Sequence, residues 1–274
     1  MVGLGEAQTR RTEPVMGPIG ASSMINRLPR SCLAAPGRRD QLLARAGLYH
    51  LIAQGITYPD AGHAIHIQSA TRDLLEAAAQ GALPRPIEPA LREVLRAWRT
   101  AELAALRAEY SRLFLGSGLV PLREGGYGDA MRFAGQPADI ADLNGFYLAF
   151  GFELSGSPPD HLGTEAEFVS LLHLKAQWAL VRGRPREVRL AEHALGRFLE
   201  AHLGRWTTAL QGALQDARAM APYATLAAVL RTAVETDCFR LRVKPIALGR
   251  DNHFASIADE ALVCPFANGD HQDP

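Results

Sequence analysis

Residues 88–116, EPALREVLRAWRTAELAALRAEYSRLFLG, decide the fold class. Apolar side chains recur at helical spacing, first Leu91, Val94, Leu95 and Trp98, then Leu103, Leu106, Tyr110, Leu113 and Phe114. Pro89 sits near the first turn, where its missing N–H costs nothing, and Gly116 follows the last. The pattern predicts one long amphipathic helix with its stripe against a core. The same period runs through residues 40–60, DQLLARAGLYHLIAQGITYPD, until Pro59 ends it. It appears again in residues 61–84, which stop near Gly81 and Pro84, and in five further segments between 138 and 241. No stretch alternates with period two for long enough to be a strand, and no repeat of 20 to 50 residues is present. The expectation is an all-α, single-domain helical bundle over residues 37–243. A flexible Gly/Pro-rich tail precedes it over residues 1–36, and an irregular tail follows over 244–274. Residues 116–137 carry Gly and Pro at a density that excludes regular structure, which marks a long loop of the functional kind.

Composition removes several function classes. A chain of 274 residues that is 47% hydrophobic and 21% charged can bury a large core, and no apolar run reaches the length a membrane helix needs. Basic and acidic residues balance at 29 each, so there is no overall basic footprint for nucleic acid or anionic lipid. Cys32, Cys238 and Cys264 are odd in number and far apart, which signals neither a disulfide framework nor a zinc knuckle and fits a reducing, cytoplasmic compartment. Arg10 and Arg11 form a twin arginine, but Glu, Pro, Gly and Ser follow in place of the apolar stretch an export signal requires.

The chemistry-bearing residues concentrate in 157–173, SPPDHLGTEAEFVSLLH. As structure alone, Pro158 and Pro159 block helix, Asp160 caps a new one, and Glu165 and Glu167 lie near its positive end. As a metal centre, His161 and Glu165 share a face at i and i+4, His173 follows two turns later, and His63 and His66 are a second pair. Glu167 diverges from Glu165, because two residues rotate a helix by about 200°. As an enzyme the chain lacks GxSxG, HExxH and phosphate-loop motifs. Asp160 and His161 are adjacent, so a Ser-His-Asp assembly has no support.

Four stretches together resemble the TorD/DmsD/NarJ family of redox-enzyme maturation chaperones: LYHLIAQGITYPD, EYSRLFLGSGLVPLREGGY, DLNGFYLAFGFELSGSPPDHLGTEAEFVSLLHL and YATLAAVLRTAVETD. The third is the most specific, with Pro159, Asp160, His161 and Leu162 followed by Glu165, Glu167 and Phe168. The resemblance spans roughly residues 40 to 240 and is finest toward delta subunits that accompany dimethyl sulfide, ethylbenzene or selenate oxidoreductases. It implies a TorD-like bundle with no catalytic step and no cofactor of its own. Its partner would be the apo catalytic subunit of a molybdenum oxidoreductase, bound in the cytoplasm, often through a twin-arginine leader, until molybdopterin is inserted. The chain departs from the family in the loop after the Leu-Phe helix, where Pro121, Glu124, Gly125 and Tyr127 stand in a looser arrangement.

A leader with basic residues and an apolar helical stretch needs an apolar groove with acids at one end. Tyr110, Leu113, Phe114, Tyr127, Phe146, Tyr147, Phe150, Pro159 and Phe168 could line it, and Asp160, His161, Glu165 and Glu167 could meet the arginines. The same aromatics could equally be core. Two other readings stay open: a small helical metal enzyme using His161, Glu165 and His173, and a permanent structural subunit of the redox complex.

Overall fold

The computed structural model describes residues 36–128, 136–154 and 156–249. Arg10, Arg11, Cys32, Cys264 and residues 129–135 of the long loop lie outside them, as do almost all of the expected N-terminal tail and the last 25 residues of the C-terminal one. Among the described residues there are nine α-helices and no strand: α1 Arg38–Gly55, α2 His63–Ala79, α3 Ile87–Arg99, α4 Leu103–Phe114, α5 Gln136–Ala149, α6 Leu162–Val181, α7 Pro185–Ala201, α8 Leu203–Asp216 and α9 Ala221–Leu241. The fold is all-α, as the 3.6-residue period predicts.

The expected long helix over 88–116 is two helices, α3 and α4, separated at Thr100–Glu102. The apolar stripe explains the break. After Trp98 the i+3 and i+4 positions are Ala101 and Glu102, so nothing bulky continues the face. Trp98 is fully buried, and its indole N–H donates to the Pro222 carbonyl (3.3 Å) at the start of α9. Glu102 is extended (φ −84°, ψ 143°), which re-aims α4 so that Leu106, Tyr110 and Leu113 reach the core independently.

α1 and α6 form the central pair, with α2 and α9 also against α1 and α7 against α6; α9 packs in turn on α3, α7 and α8. Gly55 permits the closest approach, since a Cβ there would stand 2.4 Å from Leu226 of α9. Between α1, α6 and α9 lies a buried polar knot. Asp237 accepts from Arg45 (2.6 Å), the Tyr49 hydroxyl (3.0 Å) and Arg240 (3.1 Å), and meets His173 Nε2 at 3.3 Å. Burial alone would raise the Asp237 carboxyl; His173, Arg45 and Arg240 outweigh it and hold the group well below the usual carboxylate range. Burial pushes His173 down, so the imidazole is neutral and donates.

After α9, residues 242–249 have no regular structure but are pinned to the bundle. The Leu248 N–H donates to the Arg205 carbonyl (2.8 Å) and the Gly249 carbonyl accepts from Gly128 (3.2 Å). No helix among the described residues is long and apolar enough to cross a membrane.

Candidate functional site

The start of α6 is built from both sides. Pro158 and Pro159 supply carbonyls without competing N–H groups: Pro158 accepts from the His161 N–H (3.2 Å) and the Thr164 hydroxyl (3.0 Å), and Pro159 from the Tyr147 hydroxyl (2.7 Å). His161 is the N-cap, its Nδ1 accepting from the Gly163 N–H at 3.1 Å. Asp160 is therefore not the cap. Its carboxylate is 3% exposed and turned toward the preceding loop, where Oδ1 accepts from Arg123 (2.9 Å) and Oδ2 from the Gly125 N–H (3.4 Å). A charged partner and a loop amide satisfy a buried carboxylate better than one helix-end amide would.

That contact defines the departure loop. Glu124 N–H donates to the Asp160 carbonyl (2.9 Å) and Leu162 N–H to the Leu122 carbonyl (2.8 Å), with a single antiparallel bridge between Arg123 and His161. The Tyr127 hydroxyl closes the loop on the Pro121 carbonyl (2.8 Å), and its buried ring stacks on Trp206 at 5.4 Å. Gly126 is required, because a Cβ there would lie 2.4 Å from that of Pro121. Loop 121–128 is thus a strap over the front of α6.

Beside the strap opens a cleft of about 370 Å³, lined by the end of α1 (Ala53, Ile56, Thr57), Tyr110, Phe152, Glu153, Leu154, Ser157 and the first turns of α6. From the expected site it takes Tyr110, His161 and Glu167. Burial lowers the His161 pKa, with Asp160 opposing and Arg123 assisting, so the ring is neutral at pH 7. Glu153 and Glu167 have no hydrogen-bond or ion-pair partner among the described residues, which leaves the cleft anionic over a floor of Ala53, Ile56 and Phe152.

The other expected residues are placed differently. Leu113, Tyr127 and Phe168 are core. Phe168 packs among Phe146, Tyr147, Phe150, Phe152 and Phe198, with centroid separations from 4.8 to 6.4 Å. Glu165, expected to face a client, is fully buried and accepts from the Trp206 indole at 3.3 Å. Pro159 is half-buried, and Phe114 lines a small apolar void behind Tyr110 with Ile56, Leu122 and Leu162. The metal trio is dispersed: His161 caps, Glu165 meets α8 and His173 meets Asp237. Among the described residues no three His, Cys, Asp or Glu side chains gather as a metal site. Ile56, Thr57, Phe152 and Glu153 were not singled out from sequence, although each lies within a stretch that carries the family resemblance.

Residues 80–211 match the family described as nitrate reductase delta subunit. Among solved structures, one described as a redox enzyme maturation protein from Archaeoglobus fulgidus aligns over 75% of this chain and 99% of its own at 17% identity, with a TM-score of 0.43. A likeness of that degree bears on neither fold nor function. No curated protein matches the chain.

Proposed function

This chain belongs, through residues 80–211, to the nitrate reductase delta subunit family of NarJ/TorD-type maturation chaperones, and we propose that it holds the apo catalytic subunit of an exported molybdenum oxidoreductase by its twin-arginine leader. Members of the family are chaperones and not catalysts, so the chain acts by binding. In this reading it works in the cytoplasm and releases its client once molybdopterin is in place. One observation carries the assignment to a surface: the cleft at the start of α6 combines an apolar floor with two unpartnered carboxylates, Glu153 and Glu167. That combination complements a leader bearing adjacent arginines and an apolar helical stretch. Asp160 serves indirectly, by anchoring the strap through Arg123.

The test is calorimetric titration of a twin-arginine leader peptide into the protein and into a Glu153→Gln/Glu167→Gln variant. Both side chains are at the surface or half-buried, so the melt should not move. Affinity should fall roughly tenfold, about 1.4 kcal/mol shared by two partly exposed ion pairs. Unchanged affinity in the folded variant would move the leader site away from this cleft. A lysine-for-arginine peptide should bind more weakly than the native one, because guanidinium pairs a carboxylate bidentately.

A further inference from the structure

The neutral total charge conceals a segregated surface. α1 and α6 run antiparallel: the end of α1 and the start of α6 share the acidic cleft, whereas Leu42, early in α1, packs with Ala176 and Leu180, late in α6. The far end of this pair is basic. Lys175, Arg182, Arg186 and Arg189 are exposed there, and none has a carboxylate within 4 Å among the described residues. Arg184 pairs with Glu187 at 3.1 Å.

The same end carries an exposed apolar ridge. Trp178 is 45% exposed, whereas Trp98 and Trp206 are fully buried. Leu174 and Val181 are exposed four residues before and three after it, on the same face of α6. The Arg182 guanidinium lies 4.2 Å over the Trp178 ring and that of Arg184 5.1 Å from it. This holds the cations against the face of the indole while both side chains remain exposed. The bundle does not use this ridge: at this end the buried faces of α6 and α7 meet through Ala176, Leu180 and Ala191.

We propose that this end, the α6–α7 turn with its flanking helix ends, docks on an anionic lipid surface. The chemistry is that of interfacial anchoring, in which indole and short aliphatic side chains sit at headgroup depth and guanidinium groups pair with phosphates. The apolar part is three side chains on one ridge of a helix and not a groove, so it gives an acidic partner helix no channel to lie in. A headgroup layer needs only unpaired cations beside a few apolar anchors. In this orientation the acidic cleft, at the other end of a helix about 30 Å long, faces away from the membrane and stays open.

The experiment is flotation of the full chain with vesicles of phosphatidylcholine alone, or of equal parts phosphatidylcholine and phosphatidylglycerol, at low and at high salt. Binding to the anionic vesicles only, lost at high salt, is expected, with a blue shift of tryptophan emission arising from Trp178. An Arg182→Ala/Arg186→Ala/Arg189→Ala variant should partition roughly a hundredfold less, at about a kilocalorie for each cation near the surface, with an unchanged melt. A Trp178→Phe variant should still bind but lose the emission shift. Equal partition into both vesicles, or undiminished binding by the triple variant, would overturn the proposal. Binding to polyglutamate but not to vesicles would also overturn it, in favour of an acidic protein partner.

Discussion

Replacing Asp160 with Ala separates its observed role from that of a helix cap. The carboxylate accepts from Arg123 Nε at 2.9 Å, is ion-paired with its Nη2 at 2.9 Å, and accepts from the Gly125 N–H at 3.4 Å. A charge-assisted pair of this kind contributes about 2–3 kcal/mol when buried. The Arg123 side chain is 55% exposed and regains water once released, which lowers the expected loss to about 2 kcal/mol. A lost N-cap would cost about 1 kcal/mol. For a folded unit of this size 2 kcal/mol corresponds to roughly 4–8 °C in Tm. The assay is urea denaturation with a thermal melt, carried through the cycle Asp160→Ala, Arg123→Ala and the double variant. The strap predicts a coupling energy of about 1 kcal/mol or more between the two positions. Additive losses, or a cost for Asp160→Ala below about 0.5 kcal/mol, would refute the reasoning. His161→Ala should cost about 1 kcal/mol through the lost cap and show no coupling to Arg123.

Asp237→Ala should be the more damaging carboxylate change, at roughly 3–5 kcal/mol, because it strands Arg45, Tyr49 and His173 in the buried knot; a denaturation midpoint close to wild type would contradict this. Stability should also decline with acid in a defined window. Burial lowers His63, His161 and His173 from the ordinary value of 6.5, so the unfolded chain binds protons first and the fold is fully stabilised above pH 6.5 and loses stability as pH falls toward the depressed values. A melting temperature that stays flat between pH 7.5 and 5.5 would contradict that sign.

Much of the fold was legible because helices are local. The 3.6-residue period in residues 40–60 and 138–241, and the stop near Gly81, depend on neighbours within about four positions, all visible in sequence. The family resemblance was legible for a related reason: the Pro-Asp-His-Leu step and the Glu-x-Glu-Phe that follows are contiguous. The break after Trp98 has a local sign, the lapse of the apolar stripe at Ala101 and Glu102, but what holds the Trp98 indole at that point, the Pro222 carbonyl, lies 124 residues away.

The sequence by itself determined that this chain would be helical, where an α6-like helix would begin, and which short region would hold the acids. Tertiary structure alone decided which of those acids reach solvent. Asp160 found Arg123 across 37 residues, Glu165 found Trp206 across 41, and the nearby His173 found Asp237 across 64, while Glu167 was left facing a cleft that it shares with Glu153, an acid from outside that region. The physical reason is that a polar group leaving water must take whichever partner the packing brings within hydrogen-bond reach. On a helix, the Glu at 165 and the Glu at 167 differ by about 200° of rotation, enough to send one into the core and the other to the surface.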